Sequence, residues 1–363
     1  MKIRFQSHWK WRTALAIAGL LVALGLAEAT FRLMPPMGPE FVLAATTGKM
    51  DNSLFTDDVT LRVVMAPNIK TTHYNTNSLG IRGPNLKAKL ADQKRILAIG
   101  DSFTLGMQVA DNETFPARLS QELGDSVSIL NAGVPGYGTE QATGLMRRLI
   151  PLVQPEAVLL TIYAGNDLRD NANWAASPGM PSKPPPVVTA PPPQRSSWLV
   201  NLAQHSRLVA YTLMFSDLRQ AENDFRIAEF KDEILPFTSR DHLNPLMPPT
   251  RNAIRKFGDA CRELRVRCGV AIVPPAFVVH TERLERTFEA FGIKADDTEI
   301  ESPQRMIRSA VPHPIPVIDL TDTLKSNAHR EPYLIFDPHF SAEGHAITAT
   351  ALAPFIRKLL EIQ

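Results

Sequence analysis

Cysteine is nearly absent from this 363-residue chain, which has only Cys261 and Cys268. Two cysteines rule out a disulfide framework and a multi-cysteine zinc site. Strong charge of either sign is missing too, since the formal net charge is +2. No basic stripe interleaves with aromatics, so the sequence argues against a nucleic-acid partner. There is no Gly-x-x-x-x-Gly-Lys-Ser/Thr phosphate loop, no His-Glu-x-x-His or comparable metal cluster, and no Gly-x-Ser-x-Gly elbow. Their absence disfavours phosphate-loop nucleotide chemistry, metal hydrolysis and the α/β-hydrolase fold in turn. No internal repeat is present. What remains is ordinary globular material, 44% hydrophobic and 21% charged, enough to bury a core.

The amino terminus departs from that average. MKIRFQSHWKWR carries Lys2, Arg4, Lys10 and Arg12, and TALAIAGLLVALGLA follows with no charge until Glu28. Phe31, Leu33 and Met34 extend the apolar stretch towards the about 17 to 25 residues of a spanning helix. The expectation is a transmembrane signal anchor over 13–34, with the basic residues 1–12 in the cytoplasm and everything after Pro35 outside. A cleaved signal peptide ending at Ala27-Glu28-Ala29 is the alternative, disfavoured by the long basic region and the acidic residue in the cleavage motif. Both send the remaining chain across a membrane.

Residues 35–94 form a lead-in with few periodic runs, marked by NSLGIRGP, Asn77 to Pro84, whose Gly80 and Gly83 signal turns. From Arg95 apolar strand-like runs alternate with helical patterns: RILAIG, ETFPARLSQELG, SVSILNAG, TEQATGLMRRLIPLV, AVLLTIYAG, then NAIRKFGDACREL, CGVAIVPP, PVIDL and SAEGHAITATALAPFIRKLL. Such alternation implies βαβ crossovers and a mostly parallel sheet. Ser341 is placed to cap the last helix. Cys261 and Cys268 lie where a helix end feeds a buried strand. They can pair in an exported domain, but packing as small apolar residues is the stronger reading.

Much of the excess of proline, 30 residues, falls in SPGMPSKPPPVVTAPPPQRSS, an insertion at about 175–197 that reads as an extended linker or lid. WLVNLAQHSRLVAYTLMF follows, with Leu199, Leu202, Leu208, Val209 and Leu213 at helical spacing, and reads as a helix over the sheet or the site entrance. AENDFRIAEFKDE reads as a solvated helix face.

Four pieces carry chemistry. Gly100-Asp101-Ser102 follows the first strand of the alternating region, NAGVPGYG (Asn131 to Gly138) the second, Ala164-Gly165-Asn166-Asp167 the third, and FDPHFSAEGH precedes the last helix. Parallel strands bring the first three to one carboxyl edge, where open α/β sheets hold their ligands. A loop with Asp337 and His339 can close over that edge. Together these supply a hydroxyl nucleophile, an imidazole base, an orienting carboxylate and donors for an oxyanion, the inventory of acyl transfer. Each piece has a plainer reading: Asp-Ser as a helix cap, Gly136 as turn geometry with Gly133 as its rival, Asn166 or Asp167 as a cap. His345 is a rival base on the last helix, while His205 and His313 have no comparable neighbours. Glu140 and Asp170 read as surface or capping groups.

The order GDS, N-x-G-x-x-G, GND and a late Asp before His resembles the SGNH (GDSL-type) esterase and lipase family, over roughly Arg95 to Leu360. NSLGIRGP is similar to the lead-in of its membrane-anchored members. The resemblance implies a flavodoxin-like three-layer α/β/α fold with a mostly parallel sheet, here preceded by the transmembrane helix, in an SGNH hydrolase domain spanning 95–363. It implies a serine esterase without cofactor or metal, acting on an ester-bearing glycan or lipid outside the cytoplasmic membrane. Ser102 would be the nucleophile, His339 the base and Asp337 its partner. The Ser102 and Gly136 backbone N–H groups and the Asn166 amide would form the oxyanion hole. Asp337 stands two residues before His339 where the common pattern has three, a spacing similar to a subset with Asp-x-His and a Gly-His pair. An O-acyltransferase acting on an extracellular polysaccharide and a non-catalytic membrane-tethered binding module are the alternatives.

Overall fold

A computed structural model describes residues 6–33, 54–70, 74–90, 92–177, 198–199, 202, 205–213, 233–294, 302–334 and 338–362. Contacts divide the chain into two units, Met1–Asp51 with Val188–Phe225 and Asn52–Val187 with Arg226–Gln363.

In the larger unit, a short antiparallel hairpin pairs β1 (Phe55–Asp58) with β2 (Arg62–Met65). The main sheet comprises β3 (Lys94–Gly100), β4 (Val127–Gly133), β5 (Ala157–Tyr163), β6 (Arg267–Val273) and β7 (Val317–Asp319), all parallel, in the order β4-β3-β5-β6-β7. This is the doubly wound, flavodoxin-like order. With helices on both faces it forms the expected three-layer α/β/α sandwich.

Writing α1 for Gln6–Leu33, α2 for Ser102–Leu105, α3 for Phe115–Leu123, α4 for Thr139–Val153, α5 for Asp167–Ala176, α6 for Met247–Glu263, α7 for Ser302–Ala310, α8 for Thr321–Ser326 and α9 for Ala342–Leu360 gives the helical elements used below. Ile96 and Ala98 of β3 pack with Phe115, Leu119 and Leu123 of α3 and with Leu352 and Ile356 of α9. Leu97 and Ile99 alternate to the other face, where α4 and α6 lie. All four are fully buried. Covering both faces is why β3 reads as a continuous apolar run. Cutting one such leucine or isoleucine to alanine costs about 2 to 5 kcal/mol.

The lead-in is part of this fold. Asp58 takes an ion pair from Arg148 of α4 at 2.6 Å, Leu61 O accepts from Gln141 Nε2 at 3.1 Å, and the Tyr137 hydroxyl donates to Val63 O. Strands of four residues are too short to display a period, so the sequence pattern left them unmarked.

Cys261 and Cys268 form a disulfide with Cα atoms 6.2 Å apart, which overturns the reading of two unpaired packing residues. Arg265 adopts φ 53° and Val266 N–H donates back to Cys261 O at 3.1 Å. This tight reversal returns the start of β6 to the end of α6. Both sulfurs remain buried.

In the smaller unit, Trp11–Arg32 of α1 is 22 residues with a mean hydropathy of 2.0, and its leucines and valines are exposed all round. At 1.5 Å per residue it spans about 33 Å, comparable to a hydrocarbon core of about 30 Å. Anchors and signal sequences share that property. Glu28 accepts from Ser206 Oγ at 2.8 Å, Arg207 N–H at 3.1 Å and Leu208 N–H at 2.9 Å, and the Phe31 and Tyr211 rings stack at 5.2 Å. A carboxylate of α1 thus caps the helical stretch beginning at Arg207. Within the smaller unit this stretch therefore packs on α1. The proline-rich stretch Pro178 to Pro193 and residues 221–232 lie outside the described residues.

Candidate active site

Gly100 ends β3 for a steric reason. A Cβ there would lie 2.4 Å from Thr104 Oγ1 and 2.7 Å from Thr161 O of the neighbouring β5, at a φ of +152°. At the end of β4, a Cβ on Gly133 would lie 2.3 Å from Leu105 N and 2.8 Å from Asp101 O. The turn carrying Asp101 and Ser102 is therefore wedged between two strand ends that lack side chains. The Asp101 carboxylate accepts from Phe103 N–H at 3.0 Å and caps α2, which frees Ser102 from that duty. Ser102, the first residue of α2, is partly exposed between buried neighbours.

His339 arrives on the loop before α9. Tyr333 pairs with Phe340 in an antiparallel bridge, Leu334 N–H donates to His339 O at 3.0 Å, and Ser341 N–H donates to Pro332 O at 3.0 Å. The Ser341 hydroxyl accepts from Gly344 N–H, the cap expected from the sequence. The Phe103 ring packs against the imidazole at a tilt, its centroid 5.0 Å from that of His339. This scaffold sets His339 Nε2 2.8 Å from Ser102 Oγ, across 237 residues of sequence. Asp337 lies outside the described residues.

Asn166 precedes α5 and makes no side-chain cap bond, so its amide is not used as a cap. Gly133 N–H donates to Asn131 Oδ1 at 3.2 Å, whereas Gly136 is exposed and its N–H has no partner among the described residues. His345 is buried, its Nδ1 accepting from Phe115 N–H at 3.1 Å, and burial beside Arg82 and Arg118 holds its pKa down to about 3. A neutral, engaged imidazole of this kind is a packing group. No cluster of potential metal ligands occurs among the described residues.

The sequence reading did not anticipate two buried carboxyls under the nucleophile. Asp101 and Asp167 are 0% and 2% exposed. Asp167 Oδ2 accepts from Tyr163 N–H at 3.2 Å, but Asp101 Oδ2 and Asp167 Oδ1 have no partner among the described residues. Burial raises the Asp101 pKa to about 6, against the opposing charge of His339 and its N–H bonds. Burial, then the charges of Asp101 and Asp170, push Asp167 well above the carboxylate range. The folded state therefore keeps protons that the unfolded chain releases above about pH 4. Stability falls as pH rises from there, through about 6 for Asp101 and further for Asp167. Asp167→Asn keeps the acceptor for Tyr163 and removes the titration. Its melting temperature is expected to exceed the wild type's by about 3 °C or more at pH 8, the gain shrinking towards pH 4. A gain independent of pH would contradict this account.

Residues 98–293 match the GDSL-like Lipase/Acylhydrolase family. No curated protein matches the chain. Among solved structures it is similar to a carbohydrate acetylesterase family member from Sinorhizobium meliloti, with 11% identity, 74% of this chain and 100% of that one covered, and a TM-score of 0.40. The native aryl esterase of M. smegmatis aligns at 16% identity over 73% of this chain and 99% of its own, TM-score 0.35. The psychrotrophic esterase EstA from Pseudoalteromonas sp. aligns at 12% identity over 74% and 100%, TM-score 0.35.

Proposed function

The chain belongs to the GDSL-like lipase/acylhydrolase family and hydrolyses ester bonds, and from that premise we propose that Ser102 and His339 run the reaction through an acyl-enzyme outside the cytoplasmic membrane. The observation that carries the proposal is the 2.8 Å contact between Ser102 Oγ and His339 Nε2 at the carboxyl edge of a parallel sheet. His339 takes the hydroxyl proton as Oγ attacks the ester carbonyl. The resulting oxyanion is held by the backbone N–H groups of Ser102 and Gly136 and by the Asn166 amide, each donor contributing about 3 kcal/mol. Collapse expels the alcohol, which takes the proton from His339. Water, deprotonated by His339, then attacks the acyl-enzyme, releases the acid and returns the proton to Ser102. Asp337 is the proposed orienting carboxylate, on the strength of the sequence pattern.

Residues 13–34 are proposed as an uncleaved single-pass anchor in the cytoplasmic (inner) membrane, with the hydrolase domain on the external, periplasmic side. The apolar helix Trp11–Arg32 after a basic segment supports this. So does the Cys261–Cys268 disulfide, because such bonds persist in oxidising compartments. A domain tethered there meets envelope polysaccharides, so an acetylated glycan is the proposed substrate.

The test uses the full chain in detergent micelles with a fluorophosphonate probe, peptide mapping by mass spectrometry, and acetate release from an acetylated glycan. Labelling confined to Ser102 with acetate release is the expected result. Labelling with acetate appearing only on an added sugar acceptor would shift the reading to acyl transfer. A folded chain that neither labels nor turns over would overturn it.

A further inference from the structure

Arg82 belongs to the NSLGIRGP segment, which the proposed mechanism leaves without a role. Its backbone N–H donates to Asn131 O at 2.9 Å at the end of β4, and its side chain is buried. The guanidinium then reaches the loop that follows the serine. Nη1 donates to Leu105 O at 2.8 Å and to Gly106 O, Nη2 to Val109 O at 2.7 Å, and Nε to Asp111 Oδ1 at 2.7 Å. Asp111 is held in turn by Asn75 Nδ2 at 2.7 Å, and the Tyr74 ring lies 4.9 Å from the guanidinium carbon.

Leu105 closes α2 and Gly106 is its C-cap. A helix of four residues has little stability of its own. Its internal backbone bonds are Leu105 N–H to Asp101 O and Gly106 N–H to Ser102 O. The carbonyls at its end have no partner within the helix; Gly106 O accepts from Val109 N–H at 3.2 Å in the following turn, and further donors come from outside. Arg82 supplies them, helped by Asn131 Nδ2 on Leu105 O at 3.2 Å. Only a planar fork of several N–H groups spans three carbonyls and a carboxylate at once, so lysine is no equivalent.

We propose that Arg82 is a positioning residue for the reaction, clamping the far end of the nucleophile helix so that Ser102 Oγ stays on line with His339 Nε2. The proposal rests on the reading of Ser102 as the nucleophile. A matched control exists in the same unit. Arg95 is buried as well and donates to Val153 O at 3.3 Å and Lys87 O at 2.6 Å, but it sits at the opposite, amino-terminal end of β3.

The experiment compares Arg82→Ala, Arg82→Lys, Asp111→Asn and Arg95→Ala with the wild type, all full chain in detergent. It measures thermal melts, the fluorophosphonate labelling rate per folded molecule, and kcat and KM on a short acetyl ester. Arg82→Ala is expected to label about 10²-fold more slowly with kcat falling in parallel, the effect of misplacing a reacting atom by about 1 Å, while KM stays within about threefold. Arg82→Lys recovers only part of the rate. Asp111→Asn, which leaves Arg82 its carbonyls but weakens its anchor, loses less in the same direction. Arg95→Ala loses melting temperature but labels at the wild-type rate. If Arg82→Ala, or Asp111→Asn where the former does not fold, labels as fast as Arg95→Ala, Arg82 is a structural fastening only and the proposal fails. A wild type that does not label at Ser102 would instead remove the nucleophile reading itself.

Discussion

Ser102→Ala is expected to lower kcat/KM on an acetyl ester by on the order of 10⁴-fold or more and to abolish fluorophosphonate labelling, with the fold intact. The size follows from chemistry. Without Oγ no acyl-enzyme forms, and only oxyanion donors and substrate binding remain to help water attack. The intact fold follows from structure. Asp101, not Ser102, caps α2, and Ser102 is partly exposed with its hydroxyl directed to His339. Alanine is well tolerated in a helix. The measurement is kcat/KM beside a circular-dichroism melt. Wild-type turnover in a folded Ser102→Ala protein would place the nucleophile elsewhere.

His339→Ala is expected to cost a similar factor, about 10⁴-fold, because the serine hydroxyl is a weak nucleophile without a base at hydrogen-bond distance. The loop that carries it is held by main-chain bonds and by Tyr333 and Phe340, whose rings are buried, so removing the imidazole leaves the scaffold in place. The sharper statement concerns the pair. Since Ser102 and His339 act as one unit, the double variant should be no worse than either single one. Losses that multiply would mean two independent contributions and would contradict the 2.8 Å contact as the catalytic pair.

Much of the sheet was legible in the sequence. The runs at Ile96 to Ile99 and Ala157 to Tyr163 are apolar throughout because both faces are covered, and the glycine after the first, Gly100, marks where the backbone of the neighbouring strand leaves no space for a Cβ, while at Gly165 the Tyr163 ring fills that space. The disulfide was not legible: Cys261 and Cys268 belong to a helix and a strand, and only the left-handed turn at Arg265 brings them together. Nor was the contact between α1 and the stretch after Trp198, because Glu28 makes it through a helix cap that no periodicity encodes.

The sequence alone determined the chain order of the five main-sheet strands, most of the helices between them and the side chains at the first three strand ends, because periodicity and turn chemistry are local. Tertiary structure alone decided that His339 meets Ser102, that Asp101 and Asp167 are buried, and that Arg82 reaches the carbonyls behind the serine. The physical reason is that these contacts join residues far apart in the chain. Their distances and their desolvation are set by how the layers pack and how the loops close, which no local pattern specifies.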